Sequence, residues 1–174
     1  MHGTGWVLLA LCILLGIALL GWPPGAVEGA LVILCLLLHE VGHMLTAVAL
    51  GVPVREFGLC VRGAYNRRAH SGRRRTEILI SFSGPLMNLF LAFPSHYLPV
   101  IGNQLALYNL MLCIVNLLPI PILDGGVILL LLIEMFMRRD LSLRVKETVF
   151  KLGFVFLMAV VAFVIYNDIS KLAG

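Results

Sequence analysis

Long runs of apolar residues fill most of the chain, and short polar segments separate them. The runs cover residues 6–22, 29–50, 78–101, 104–137 and 148–166. A membrane-crossing helix needs roughly 17–25 predominantly apolar residues, and each run meets that length. The pattern therefore predicts an all-α polytopic membrane protein with about five transmembrane helices. A signal peptide has basic residues before its apolar stretch, and no basic residue precedes the first run. We therefore expect the first run to be a retained span.

The polar segment between the second and third runs, residues 51–77, has a pattern of its own. Its first part alternates apolar and polar positions, which is typical of short strands, at Val52, Val54, Phe57, Leu59 and Val61. The sequence "NRRAHSGRRR" that follows indicates a solvated turn. We therefore predict a short β-like cytoplasmic loop between the second and third transmembrane helices.

The fourth run carries residues that interrupt helices. Pro119 and Pro121 remove helical hydrogen bonds, and Gly125 and Gly126 permit unusual dihedral angles. The part of the run that follows these residues would be short for a crossing by itself. We therefore treat residues 104–137 as one crossing, in which the helix unwinds near the prolines and glycines.

Charge is scarce and unevenly placed. Only 13% of the 174 residues are charged and 60% are hydrophobic, whereas an ordinary soluble domain is about 25% charged. No segment outside the apolar runs is long enough to bury a core, so we expect residues 1–174 to form a single membrane-embedded domain. The net charge is +4, and the arginines cluster within residues 55–75 and 138–144.

The placement of the arginines predicts an orientation and a class of partner. Positively charged loops stay on the cytoplasmic side, so the N-terminus and both basic loops are predicted to be cytoplasmic and the C-terminus to be outside. Anionic membrane lipids are the expected partners of the arginines. A nucleic acid is not expected, because no stacking pattern of aromatic residues accompanies the basic clusters.

The motif "HEVGH" lies inside the second apolar run and contains His39, Glu40 and His43. Ionisable groups in a membrane span are costly and mark function by default. Residues four positions apart share one face of a helix, so the two imidazoles can bind one metal ion. HExxH on a helix is the pattern of zinc hydrolases, in which the glutamate acts as general base.

A catalytic zinc ion usually has three protein ligands, so a third must come from elsewhere. Most acidic residues lie in loops or at the ends of runs, and Glu134 has the helical spacing to pair with Arg138. Asp124 remains, inside an apolar stretch and at the same predicted depth as the histidines. A different zinc protease with Glu77 or Glu134 as third ligand is the alternative. Asn116 is placed to satisfy backbone groups freed by the break or to face a substrate.

Three motifs, "HEVGH", "SGPLMN" and "NLLPIPILDGG", follow one another along the chain. Together they resemble the site-2 protease family of intramembrane zinc metalloproteases, in which three core helices carry HExxH, GPxxN and N-P-x-P-x-x-D-G. The resemblance covers residues 29–137, with flanking spans at 6–22 and 148–166. The third motif is the most specific one. No PDZ or CBS domain is evident, so the sequence is similar to a minimal catalytic core.

The resemblance implies the roles of individual residues. It implies one Zn²⁺ per chain, with His39, His43 and Asp124 as ligands and Glu40 as the general base. It implies that Asn116 contacts the substrate or the oxyanion, and that Asn88 is structural or faces the substrate.

The implied function is an intramembrane zinc metalloendopeptidase that cleaves transmembrane segments of other membrane proteins, as in regulated intramembrane proteolysis. The alternative is a non-catalytic zinc-binding membrane protein that binds or stabilises a partner. The presence of all four catalytic positions favours the enzyme.

Overall fold

The computed structural model describes residues 10, 13–14, 24–60, 63–68 and 71–173. In chain order its elements are α1 (Pro24–Ala49), β1 (Val54–Cys60), β2 (Gly63–Arg68), α2 (Arg74–Ser95), α3 (Gly102–Asn116), α4 (Asp124–Met137) and α5 (Leu143–Ala173). The protein is thus mostly helical, as predicted. The predicted first span at 6–22 lies, except for three residues, outside the described part of the chain.

Two of the described helices, α1 and α2, are long and apolar enough to cross a membrane. They contain 26 and 22 residues and coincide with the second and third apolar runs. The fourth run forms two shorter helices, α3 with 15 residues and α4 with 14. At 1.5 Å per residue each is about 21–23 Å long, which is less than the hydrocarbon thickness of about 30 Å. The number of crossings stays a prediction.

A two-stranded antiparallel sheet connects α1 to α2. Its strands pair Val54 with Arg68 at one end and Cys60 with Gly63 at the other. At the base of this hairpin, Val52 packs with Ala47 of α1 and Ile80 of α2 in a small buried cluster. The hairpin is therefore anchored where the two long helices meet, while its cytoplasmic location stays a prediction.

A glycine allows α1 and α2 to approach closely. A Cβ atom added to Gly42 would lie 2.7 Å from the Ser83 carbonyl oxygen and 2.8 Å from the Met87 Cβ. Small residues at such crossings are the usual means by which membrane helices pack without a hydrophobic driving force. Two to three turns earlier on α1, Cys35 and Leu31 pack with Leu105 of α3.

The end of α4 is tied to α5 by a buried carboxylate. Oε1 of Glu134, which is 2% exposed, accepts hydrogen bonds from the Leu141 backbone N–H and Lys146 Nζ, both at 2.7 Å. Helical spacing predicts that Glu134 pairs with Arg138, and this prediction is wrong. Arg138 has left-handed backbone dihedrals and ends α4, so its side chain leaves the helical register.

Candidate metal centre

The three predicted zinc ligands lie together. His39 and His43 occupy the buried face of α1, and Asp124 is the first residue of α4. The two Nε2 atoms are 3.1 Å apart, and Asp124 Oδ2 lies 3.0 Å from that of His39 and 3.4 Å from that of His43. In a tetrahedral zinc site with bonds of about 2.0–2.1 Å, neighbouring ligand atoms are about 3.3 Å apart. The triangle therefore matches one face of such a site.

The hydrogen bonding of His43 fixes which of its nitrogens faces the other ligands. Its Nδ1–H donates to the Ile80 carbonyl oxygen at 2.6 Å, which leaves the lone pair on Nε2. A histidine that binds a metal usually donates its other N–H to such a carbonyl. Ile80 also belongs to the cluster at the base of the hairpin, so the α1–α2 packing orients the imidazole.

The chemistry of the three converging atoms suits a cation. In this tautomer His43 Nε2 is an acceptor, and it faces a carboxylate oxygen and a second imidazole nitrogen. Acceptor atoms placed this close repel one another unless a proton or a cation lies between them. Nitrogen and oxygen ligands of this kind are those that zinc prefers. Among the described residues, these three form the one group of His, Cys, Asp or Glu that could hold a metal ion.

Gly84 forms the wall of the site on the α2 side, and the sequence reasoning missed it. A Cβ atom there would collide with Nε2 and Cε1 of His43 and would lie 2.7 Å from His39 Nε2. Gly84 is the glycine of the "SGPLMN" motif. That motif was visible in the sequence, but its contact with the histidines depends on how α1 packs against α2.

The start of α4 is built by a folded-back loop at residues 117–123. The helical break lies before Asp124, whereas the sequence pattern predicts unwinding near Gly125 and Gly126 as well. Both glycines belong to the first turn of α4. Cβ atoms at these two positions would collide with carbonyl groups of Leu117, Leu118 and Ile120. The glycines therefore allow the loop to lie against the helix that begins with Asp124.

The other predicted site residues differ in their surroundings. Glu40 follows His39 on α1 and is half-buried. Asn116 ends α3, and its Nδ2 donates to the Leu112 carbonyl oxygen at 3.0 Å. Asn88 is fully buried one turn after Gly84, and neither polar atom of its amide has a partner among the described residues. Its burial favours the structural role over contact with a substrate.

The alternative third ligands lie elsewhere. Glu77 accepts a hydrogen bond from the Ser71 backbone N–H at 2.7 Å near the start of α2. Glu134 is engaged by Leu141 and Lys146 at the far end of α4. Neither carboxylate is in the group that includes the two histidines.

Replacing Asp124 by alanine is expected to weaken zinc binding by about 100-fold, since two imidazoles alone form an incomplete site. Zinc affinity in detergent, measured by competition with a chelator, tests this. Glu77→Ala is the control and should bind zinc like the wild type, because Glu77 accepts its hydrogen bond from Ser71 near the start of α2. If Glu77→Ala loses zinc and Asp124→Ala keeps it, the third ligand is Glu77.

Comparison with known proteins agrees with this geometry. The sequence model of peptidase family M50 matches residues 29–102 and 98–160. A Campylobacter jejuni protein with the words zinc metalloprotease in its name is 46% identical over 69 residues, which are 40% of this chain and 19% of that protein. The regulator of sigma-E protease RseP of Escherichia coli is 38% identical over 77 residues, which are 44% of this chain and 15% of that protein. The chain thus matches less than a fifth of the length of either relative.

The fold also has a counterpart among solved structures. It is similar to that of the site-2 protease from Methanocaldococcus jannaschii, with a TM-score of 0.74 and 21% identity over 95% of this chain and 80% of that one. The predicted resemblance to the site-2 protease family is thereby confirmed. Because the family match extends over most of its length, the chain belongs to peptidase family M50.

Proposed function

We propose that the protein is a zinc metalloendopeptidase that cleaves transmembrane segments of other membrane proteins, as in regulated intramembrane proteolysis. The observation that carries the proposal is the convergence of His39, His43 and Asp124. The two histidines and Glu40 lie on α1, a helix long and apolar enough to cross a membrane. The match to peptidase family M50 supports the choice of zinc and of peptide hydrolysis.

The proposed chemistry divides between the metal and the protein. His39, His43 and Asp124 would hold the zinc ion, and a zinc ion bound there would supply Lewis-acid activation of water and of the scissile carbonyl. Glu40 accepts a proton from the attacking water and returns it to the leaving amine. Asn116, at the end of α3, stabilises the oxyanion or holds the substrate backbone.

The membrane setting determines how a substrate reaches this site. The domain spans residues 1–174 with its core at 29–137, and its N-terminus and basic loops face the cytoplasm. A substrate helix has to unwind locally, because its carbonyl groups are shielded by their own hydrogen bonds. The β1–β2 hairpin offers strands to which an unwound segment can pair by β-addition. Arginines of the basic loops contact lipid headgroups, and Asn88 supports the α2 side of the site.

Removing zinc is expected to stop cleavage, and adding it back is expected to restore it. Zinc content per chain and cleavage of a panel of single-span model substrates would be measured in detergent, before and after chelation. Asp124→Ala is the matched control, because added zinc at the same concentration should not restore its activity. Cleavage that continues without zinc would exclude a zinc peptidase. Stoichiometric zinc without cleavage of any substrate would favour the non-catalytic alternative.

A further inference from the structure

Helix α5 contacts the loop before α4 at Gly153. The described side chains along it are mostly exposed, but Gly153 is buried. A Cβ atom added to Gly153 would lie 3.1 Å from both Cβ and Cδ of Pro121 and 3.3 Å from the Ile122 backbone nitrogen. The helix thus approaches the loop before α4 through a glycine. Of the described helices, α1 to α4 pack together, and α5 packs extensively with none of them.

The contacted loop leads directly into the metal centre. Pro121 and Ile122 precede Asp124 by three and two residues. The intervening Leu123 is fixed on both sides, because its N–H donates to the Ile120 carbonyl at 2.8 Å and its carbonyl accepts from the Val127 N–H at 3.1 Å. A displacement of Pro121 is therefore transmitted to Asp124 through a short, hydrogen-bonded segment.

A second contact attaches the same face of α5 to the other end of α4. Lys146 pairs with buried Glu134 at 2.7 Å. Lys146 and Gly153 are seven residues apart, almost two full helical turns, so they lie on one face of α5. The two contacts lie at opposite ends of α4: Gly153 meets the loop before Asp124, and Lys146 pairs with Glu134. Two separate contacts thus set the position of α5 relative to α4.

We propose that α5 is a positioning element for the third zinc ligand and that Gly153 is its positioning residue. With Gly153 against Pro121 and Ile122, the loop holds the Asp124 carboxylate at the distance from the two imidazoles that one zinc ion requires. The inference rests on the proposed ligation of zinc by Asp124. It adds that zinc affinity depends on a helix that supplies no ligand.

The test measures zinc affinity and coordination in graded variants of Gly153. Gly153→Ala requires Pro121 to move by a few tenths of an ångström, and Gly153→Leu requires a larger shift. We expect zinc to bind about 10-fold more weakly in the alanine variant and about 100-fold more weakly in the leucine variant. Losses of this size are typical when a group that orients a metal ligand is changed. The visible absorption of the Co²⁺-substituted protein should change in parallel. Ala159→Leu adds bulk at an exposed position of the same helix and should change neither quantity.

The outcomes separate this inference from the zinc site on which it rests. A merely structural role would lower the melting temperature of the metal-free variants and leave the zinc affinity and Co²⁺ spectrum of the folded protein unchanged. If Gly153→Ala, the smaller change, gives that result, the positioning role of α5 is overturned and the assignment of the zinc ligands still stands. If the wild type binds no zinc, or if Asp124→Ala binds it normally, the ligand assignment fails and the inference fails with it.

Discussion

Replacing Glu40 by glutamine is expected to abolish peptide cleavage while zinc binding stays intact. Glutamine has nearly the same shape but cannot accept the proton of the attacking water, and general-base catalysis contributes about 10²–10⁴-fold to rates. Because Glu40 is outside the group of proposed ligands, the metal should remain. We therefore expect kcat on a single-span substrate to fall by at least about 100-fold, with zinc per chain unchanged.

A matched control for this change is available on the same helix. Glu28 accepts a hydrogen bond from the Tyr108 hydroxyl at 2.5 Å, away from the metal centre. Glu28→Gln keeps an oxygen acceptor for that bond and should cleave like the wild type. If Glu40→Gln retains full activity, another group is the base. If Glu40→Gln also loses zinc, Glu40 contributes to holding the metal.

Replacing Gly84 by alanine is expected to remove zinc from the protein. The added methyl group would occupy the space of the His43 imidazole and approach His39 Nε2 to 2.7 Å. Neither imidazole can retreat easily, because His43 is held by the Ile80 carbonyl and both rings are buried in the α1–α2 interface. We therefore expect less than about one tenth of the wild-type zinc content at a concentration that saturates the wild type.

Circular dichroism and zinc analysis on the same sample test this expectation. Leu86→Ala is the control, because it also places an alanine on α2, two residues further along, but at an exposed position. Leu86→Ala should keep both its helical signal and its zinc, whereas Gly84→Ala should keep its helical signal and lose the metal. Wild-type zinc content in Gly84→Ala would show that the histidines do not depend on the wall that Gly84 forms.

Helices α1 and α2 and the shared face of the two histidines could be predicted from the sequence, because both depend on local spacing. Apolar run length predicted α1 and α2, and four-residue spacing brought His39 and His43 to one helical face. Choosing Asp124 required only that most other carboxylates lie outside the apolar runs. The two histidines and Asp124 accordingly lie together in the structure.

The features that the sequence did not predict depend on contacts between distant segments. Gly84 and Gly153 matter because neither has a side chain. His43 occupies the space beside Gly84, and Pro121 occupies the space beside Gly153. The partner of Glu134 depends on the left-handed turn at Arg138, which removes that side chain from helical register. No periodicity in the chain indicates these contacts.

The loop at residues 117–123 also explains how an irregular backbone can be placed at membrane depth. Two of its seven residues are prolines and have no N–H group. Four others, Leu117, Leu118, Ile120 and Leu123, donate their N–H groups to nearby carbonyls. An unsatisfied donor in hydrocarbon costs several kcal/mol, which normally excludes such segments. Six of the seven positions thus leave no N–H donor unpaired, which lowers the cost of the interruption between α3 and α4 by that amount.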